Sequence, residues 1–276
     1  MRIDSHNHFW LYNPETHAWI DESMSKIRRD FMPEEFELVL SENGFDGTIA
    51  VQADQSEQET TSLLALASEY DVIKGVVGWI DLSAENVTDR LAYFSQFEKL
   101  LGLRHIVQAE PDPEFMLKEE FQRGIGLLKE YNLTYDILVF PHQLAAAAET
   151  VSLHPSQKFV IDHLAKPYIK KQEIGEWARF MKAIGEHENV MCKLSGMVTE
   201  ADWDTWQVED FKPYLDIVIE AFGIDRVMFG SDWPVCLVSA SYPQVKEIVE
   251  GYVKEFSEEE RAKVFGINAM KFYGIK

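Results

Sequence analysis

The sequence predicts a single α/β domain with the (β/α)8 barrel fold, the TIM barrel. Three observations lead to this prediction: the chain has 276 residues, strand-like apolar runs alternate with helix-like stretches, and eight such runs occur. Barrels of this type commonly span about 250 residues as one domain. Alternating strands and helices are typical of a parallel sheet, and eight repeats favour its closure. We therefore expect one barrel domain over residues 1–276.

The eight predicted strands are short runs of apolar or β-branched residues. They lie at Arg2–Ser5, Thr48–Gln52, Val72–Ile80, Gly102–Gln108, Thr134–Phe140, Phe159–His163, Val190–Ser195 and Arg226–Ser231. Runs of this length and composition are typical of strands.

Stretches with helical periodicity separate most of these strands. They lie at Glu59–Tyr70, Val87–Leu100, Phe121–Tyr131, Leu144–Leu153, Ile174–His187 and Pro213–Phe222. Capping residues support several helix boundaries: we expect prolines in first turns, glycines just after helices and a serine before an acidic first turn. These residues are Pro33, Pro213, Gly44, Gly223 and Ser257.

The connection from Phe9 to Phe31 is too irregular for one helix and is rich in Trp, Tyr and Pro. Two arrangements stay open for it: it folds over the mouth of the barrel, or it packs as a surface loop.

Composition excludes several classes of function. The chain carries 26 Lys and Arg against 47 Asp and Glu, a formal charge of −21, which repels nucleic acid and anionic membranes. A small polar substrate is therefore expected. Apolar residues make up 46% of the chain, enough for one large core.

Cysteine content and the amino terminus predict a cytoplasmic location. Only Cys192 and Cys236 occur, and charged Arg2 and Asp4 interrupt the first apolar run, so we expect no signal segment and a reducing compartment. No apolar run reaches the roughly 20 residues that a membrane span requires.

Residues that carry chemistry cluster at the ends of the predicted strands. His6 and His8 leave the first strand, and because side-chain direction alternates with period two, both imidazoles point to one side and can serve one centre. Further polar residues end later strands, and the carboxyl ends of barrel strands form one mouth. These residues are Arg104, His105, His163, Lys193, Ser195 and Asp232. A carboxylate near imidazoles can accept a proton from water or bind a metal.

Structural roles stay open for several of these residues. Asp232 could serve only to cap a turn, His163 could be a satisfied core imidazole, and Lys193 could pair with a surface acid. Arg104 is harder to explain structurally, because a guanidinium is rarely buried without a partner or ligand.

Five motifs together resemble the amidohydrolase superfamily. They are Asp4–His8, Gly102–His105, Asp162–Pro167, Cys192–Gly196 and Phe229–Cys236. More narrowly they resemble the amidohydrolase-2 branch, which holds sugar-lactone hydrolases of the fuconolactonase type and the pyrone-dicarboxylate lactonases. The resemblance spans the chain and implies a barrel that hydrolyses a carboxylic ester closed in a ring, a lactone.

The resemblance leaves the metal question open. Metal-dependent relatives add a strand-five histidine or a strand-four lysine, but strand five here reads Tyr135–Phe140 without histidine. His142 and Asp136 could complete the set His6, His8 and Asp232 around a divalent ion, most simply Zn²⁺. Some similar lactonases work without metal, so no cofactor is the other expectation.

Both versions imply the same reaction. Without metal, Asp232 takes a proton from the attacking water while His6, His8 and His163 donate hydrogen bonds to the developing oxyanion. With metal, Zn²⁺ held by His6, His8 and Asp232 stabilises that charge and lowers the pKa of bound water.

Hydrogen-bonding groups and flat rings near the strand ends suit a polyhydroxylated ring, so an aldonolactone is the expected substrate. The expected substrate-binding residues are Gln52, Trp79, Arg104, His105, His142, Lys166, Lys193 and Trp233. Two alternatives remain, a metal-dependent decarboxylase of an aromatic acid and a non-catalytic binding barrel. Self-association into a homo-oligomer stays open.

Overall fold

A computed structural model describes residues 1–275 and shows the predicted barrel. Eight parallel strands form one sheet in sequence order. They are β1 (Ile3–Asn7), β2 (Gly47–Val51), β3 (Ile73–Gly78), β4 (Leu100–His105), β5 (Thr134–Ile137), β6 (Phe159–Ile161), β7 (Val190–Leu194) and β8 (Val227–Phe229). The prediction of a (β/α)8 fold is confirmed.

Helices follow the strands. They are α1 (Pro33–Glu42), α2 (Glu57–Glu69), α3 (Val87–Phe94), α4 (Glu119–Leu127), α5 (Leu144–Leu153), α6 (Gly175–Gly185), α7 (Met197–Glu200), α8 (Val208–Phe222), α9 (Tyr242–Tyr252), α10 (Glu258–Ala262) and α11 (Asn268–Tyr273). Within residues 1–275, no helix is both long enough and apolar enough to cross a membrane.

The barrel closes through the segment that follows β8. The His8 backbone N–H donates to the Trp233 carbonyl at 2.7 Å, and the Asp232 N–H donates to the His6 carbonyl at 2.9 Å. These bonds join the end of β1 to the turn after β8. Closure of the sheet therefore places Asp232 beside the histidines of β1.

The barrel interior changes character along its axis. Along two neighbouring strands an apolar residue stands two positions before a polar one: Val160 of β6 precedes Asp162, which directly follows the strand, and Met191 precedes Lys193 within β7. The apolar layer packs against Phe272 of α11 at the amino-terminal end of the barrel. The polar layer lies above it, toward the mouth.

Most predicted helix boundaries match the structure. Pro33 begins α1, and Ser257 caps α10 by accepting the Glu260 N–H. Pro213 does not lie in a first turn, because α8 begins at Val208. A capping box explains the earlier start, since the Gln207 N–H donates to the Asp210 carboxylate at 2.8 Å.

The long connection after β1 packs at the mouth end of the barrel. Trp10 and Phe31 exchange backbone hydrogen bonds of 3.0 and 2.9 Å, and the 3-10 helix Glu22–Ile27 contacts Val235–Val238. Lys26 Nζ also donates to the Val238 carbonyl at 3.2 Å. The connection therefore covers the segment that follows Asp232.

Candidate active site

Three imidazoles converge on one carboxylate oxygen at the mouth. From Asp232 Oδ1, the Nε2 atoms of His8, His6 and His163 lie at 3.4, 3.9 and 3.9 Å. Asp232 is 3% exposed and His6 is fully buried. The structure thus brings together the four residues predicted to be catalytic.

Glycine permits this close approach. A Cβ on Gly230 would lie only 2.8 Å from His6 Cβ and 3.2 Å from Ser195 Cβ. Asp232 itself has a φ of 59°, a left-handed conformation that costs energy for a side chain other than glycine. Such strained residues concentrate at functional sites.

His163 opens a second strained segment. The four residues from His163 to Lys166 all have φ between 48° and 55°. The Trp177 indole N–H donates to the Leu164 carbonyl within this turn at 2.7 Å. Gly196 lies against the ring, and a Cβ there would fall 2.5 Å from His163 Nδ1. The turn directs His163 inward.

A backbone carbonyl fixes the tautomer of His8. His8 Nδ1 lies 2.7 Å from the Val51 carbonyl oxygen, which can only accept, so Nδ1 carries the proton. The lone pair of His8 Nε2 therefore faces the site, 3.2 Å from His6 Nε2. This lone pair can accept an N–H from His6 or bind a cation.

A buried ionic network supports the imidazoles from below. Lys193 Nζ lies 2.5 Å from Asp136 Oδ2, 3.0 Å from Asp162 Oδ1 and 3.1 Å from His6 Nδ1. The Tyr273 hydroxyl of α11 donates to Asp136 Oδ2 at 2.9 Å. Lys193, Asp136 and Asp162 are fully buried. The Lys193 amine is hydrogen-bonded to Asp136 and His6 and lies at ion-pair distance from Asp162, so protein groups surround it and it contacts His6 from below.

Arg104 occupies a similar supporting position. Its Nη1 lies 3.0 Å from Asp162 Oδ2 and 3.3 Å from His6 Nε2. Its other guanidinium nitrogens donate to the carbonyl and side-chain oxygens of Gln52. Arg104 and Gln52 were expected to bind substrate, but in this structure their side chains are hydrogen-bonded to each other beneath the site.

Trp233 was also expected to contact substrate, yet it is 1% exposed. Its indole stacks on Phe36 with a centroid distance of 4.4 Å and an interplanar angle of 17°. Phe31 packs edge-on against it. The indole therefore belongs to the core that supports the Asp232 turn.

Electrostatics keep Asp232 ionised. Burial opposes its charge, but the neighbouring imidazoles of His163, His8 and His6 outweigh burial and hold the pKa of Asp232 well below its usual range. Burial lowers the pKa of His163 to about 4 and the pKa of His6 well below its ordinary value. At neutral pH the Asp232 carboxylate therefore lies beside the neutral imidazoles of His6 and His163.

The supporting carboxylates differ from each other. Burial raises the pKa of Asp136 to about 6, with the Asp162 charge adding to the effect and Lys193 opposing it. Burial also opposes charge on Asp162, yet Lys193, His6 and Arg104 together hold its pKa well below the usual range. Among residues 1–275, the buried carboxylates Asp136, Asp162 and Asp232 face two buried cations, Lys193 and Arg104. The interior therefore carries an excess negative charge that favours a cation.

The spacing of the site atoms fits a metal ion. In a tetrahedral site with zinc–ligand bonds of about 2.0–2.2 Å, neighbouring ligand atoms lie about 3.4 Å apart. The Nε2 atoms of His6 and His8 and the Oδ1 of Asp232 are separated by 3.2, 3.4 and 3.9 Å. A second possible set, His6, Asp162 and His163, lies beside the first. Neither set within residues 1–275 includes Asp136 or His142.

Several predicted substrate-binding residues lie around the mouth. The Trp79 indole N–H donates to His105 Nδ1 at 3.3 Å, so His105 Nε2 carries a proton and donates to Glu110 at 2.7 Å. Lys166 pairs with Glu200 at 2.7 Å. His142 is exposed and stacks on Phe140.

Sequence reasoning missed the supporting roles of Asp162, Ser195, Glu200 and Tyr273. Asp162 and Ser195 lie inside motifs that the sequence had marked, adjacent to His163 and two residues after Lys193. The position of Asp162 two residues after Val160 was the available signal, because period two places both on one face. Nothing local marks Glu200 or Tyr273.

The fold and this site together define a class of protein, a (β/α)8 hydrolase with a His-x-His pair on β1 and an aspartate after β8. Residues 3–275 match the family model described as amidohydrolase. The chain belongs to this amidohydrolase family, as its motifs indicated.

Curated relatives agree with this assignment. The chain is 36% identical to an L-fucono-1,5-lactonase of Burkholderia multivorans and 33% identical to one of Burkholderia ambifaria, covering 100% of this chain and 96% of each relative. A crystal structure of an amidohydrolase from Burkholderia multivorans with bound zinc is also similar, with a TM-score of 0.97, 36% identity and full coverage of both chains.

Proposed function

We propose that this protein hydrolyses a sugar lactone of the aldonolactone class. The observation that carries the proposal is the convergence of three imidazole Nε2 atoms within 3.9 Å of Asp232 Oδ1. The full-length likeness to L-fucono-1,5-lactonases supports the substrate class. No observation favours the decarboxylase or the non-catalytic barrel that the sequence had left open.

His6, His8 and Asp232 are the residues that would hold a divalent metal. The spacing of their ligand atoms supports this assignment, as does the His8 lone pair that Val51 directs toward the site. A bound metal would supply Lewis-acid stabilisation of negative charge and would lower the pKa of water. The bound zinc of the similar Burkholderia multivorans structure supports zinc as the ion to test.

Asp232 is assigned the proton transfers. Water attacks the ring carbonyl carbon while Asp232 takes one of its protons, the ring C–O bond then breaks, and the proton passes to the departing alkoxide oxygen. The product is an open-chain hydroxy acid. The lowered pKa of Asp232 makes it a weak base, so it suits an ester whose leaving group rapidly takes the proton back.

His163 is assigned to the carbonyl oxygen. It approaches Asp232 Oδ1 at 3.9 Å, and a donor at that place stabilises charge developing on the oxygen. Trp79, His105 and Lys166 are assigned to ring hydroxyls, because they lie after β3, at the end of β4 and after β6. The supporting positions of Arg104 and Lys193 favour a role in holding His6.

Turnover of a lactone panel tests the proposal. The panel holds L-fucono-1,5-lactone, another aldono-1,5-lactone and L-rhamnono-γ-lactone, with acid release followed by a pH indicator. Spontaneous opening is subtracted by using the Asp232→Asn protein in parallel. We expect hydrolysis of the 1,5-lactones above this background. Absence of turnover on every lactone would overturn the proposal.

The metal assignment is tested separately by elemental analysis before and after dialysis against a chelator. With three protein ligands, we expect zinc to be removed by the chelator and to rebind on addition, with activity following its content. Retention of a full equivalent would show that another residue completes the ligand set. Full activity in stripped protein would assign the reaction to the protein groups alone.

A further inference from the structure

We infer that Ser195 is a positioning residue that fixes His163 as an Nε2–H donor and thereby excludes His163 from the metal site. This inference rests on the proposed function, in which His163 faces the carbonyl oxygen. It also decides between the two possible ligand sets, because only one contains His163.

The first argument is the hydrogen bond between the two side chains. Ser195 Oγ lies 2.8 Å from His163 Nδ1, and Ser195 is fully buried. Among residues 1–275, His163 is the one partner found for this hydroxyl. If Nδ1 carried the proton, the buried Ser195 O–H would remain without an acceptor, which destabilises the folded protein. The hydroxyl therefore donates to Nδ1, and the ring proton of neutral His163 lies on Nε2.

The second argument comes from the opposite side of the ring. His163 Nε2 faces Asp232 Oδ1 at 3.9 Å. At this distance, which is longer than a hydrogen bond, the carboxylate attracts a proton on Nε2. The same oxygen lies 3.4 Å from His8 Nε2, but there the Val51 carbonyl fixes the ring proton on Nδ1. The environments of both ring nitrogens thus select the same tautomer.

The backbone leaves room for the contact between Ser195 and His163. Gly196 lies where a Cβ would fall 2.5 Å from His163 Nδ1, and Gly230 lies where a Cβ would fall 3.2 Å from Ser195 Cβ. Both glycines leave the space that the serine–histidine contact needs. The arrangement contrasts with His8, whose Nδ1 donates to the Val51 carbonyl. His8 therefore presents a lone pair that can bind a cation, whereas His163 presents an N–H that can donate a hydrogen bond.

The test compares Ser195→Ala, Ser195→Thr and a control, Ser5→Ala. Ser5 is also a fully buried serine, but its hydroxyl donates to the Phe229 carbonyl at 2.7 Å. Two-dimensional NMR of protein with 15N-labelled histidine, assigned with His163→Gln, reports the protonated nitrogen directly. We expect wild type, Ser195→Thr and Ser5→Ala to show the proton on His163 Nε2. Ser195→Ala should show exchange between tautomers.

Kinetics and zinc titration supply two further readouts. Removal of one oxyanion donor typically costs about 10²–10³-fold in kcat. Ser195→Ala keeps the His163 ring but no longer fixes its tautomer, so kcat should fall by a smaller factor, up to about 10²-fold, with little change in KM. Ser195→Thr should recover most of the loss. In the His163→Gln background, Ser195→Ala should have no further effect on kcat. Zinc affinity, measured by calorimetry, should be unchanged in Ser195→Ala.

The outcomes separate this inference from the proposed function. A proton on His163 Nδ1 in the wild-type protein would overturn it, as would weaker zinc binding in Ser195→Ala or an undiminished kcat. The NMR and zinc measurements need no substrate. If no lactone is hydrolysed, the proposed function fails while the tautomer of His163 is still decided.

Discussion

The two ends of the barrel interior are built by the same strands but filled in opposite ways. At the amino-terminal end, Ile49, Val160 and Met191 pack with Phe272 of α11 into an apolar plug. Toward the mouth, buried carboxylates, imidazoles and two buried cations fill the space. Apolar contacts need no specific partner, whereas each buried charge must be paired.

This difference separates stability from chemistry within one fold. Loss of an apolar side chain leaves a cavity and costs stability, while loss of a charged side chain leaves its partner unpaired or removes a reacting group. Residues at the amino-terminal face of barrels usually serve stability, and the carboxyl-terminal face carries the reaction. Substitution of a reacting group at the mouth should therefore lower kcat, whereas substitution of an apolar residue at the other end should lower stability.

The largest effect is expected at Asp232. Asp232→Asn keeps the shape of the side chain and removes the base, so kcat should fall by at least about 10²–10⁴-fold. Thermal stability should stay equal or rise, since active-site charges are often held at some cost to folding. Steady-state kinetics and thermal melts measure both. Asp204→Asn, an exposed aspartate, is the control. Near-normal turnover in Asp232→Asn would remove this residue from the mechanism, and failure to fold would return it to a capping role.

Lys193 should show the cost of an unpaired buried charge. Lys193→Met leaves Asp136 and Asp162 without their shared cation, and such losses cost about 3–5 kcal/mol. Denaturant unfolding measures this loss, and Asp136→Asn in the same chain should recover part of it. Lys182→Met breaks the exposed pair with Glu220 and should cost no more than about 1 kcal/mol. Equal losses at the two lysines would contradict the assignment of a buried network.

A substitution in the apolar end should lower stability and leave kcat nearly unchanged, which is the reverse of the effect expected for Asp232→Asn. Ile49 is fully buried in the plug, so Ile49→Ala should lower the free energy of unfolding by about 2–5 kcal/mol. The kcat of the remaining folded protein should change by less than about twofold, because no reacting group is touched. Leu38→Ala, an exposed residue of α1, should change stability by no more than about 0.5 kcal/mol. A drop in kcat like that of Asp232→Asn would show that the two ends are not separate.

Much of the fold was predictable because its signals are local. Apolar runs and helical periodicity located the eight strands, and period two placed His6 and His8 on one side. The strand-end motifs brought His163 and Asp232 to the same mouth. These features depend on a few neighbouring residues, so the sequence alone carries them.

The partners of the buried cations were not predictable in this way. Lys193 pairs with Asp136, which lies 57 residues away, and Tyr273 reaches Asp136 across 137 residues. Such contacts exist only once the barrel has closed. For the same reason the sequence assigned Arg104, Lys193 and Trp233 to substrate without indicating the protein groups that their side chains contact in the structure.

The smallest expected effect concerns Glu59 of α2, a half-buried carboxyl group at the mouth end. Its carboxylate accepts the backbone N–H groups of Ala53 and Asp54 at 2.9 and 2.6 Å, and burial raises its pKa from 4.5 to about 7. Between these values the folded protein binds more protons than the unfolded chain, so stability falls as pH rises through this range.

Glu59→Gln removes the titration of this carboxyl group. Relative to wild type, the variant should therefore gain thermal stability steadily from about pH 4.5 to about pH 7 and show a constant difference below that window. Glu69→Gln, an exposed residue of the same helix, is the control and should follow the wild-type profile. A difference between wild type and Glu59→Gln that is flat across the window would show that Glu59 ionises as readily in the folded protein as in the unfolded chain, and that the mouth end holds this charge without cost.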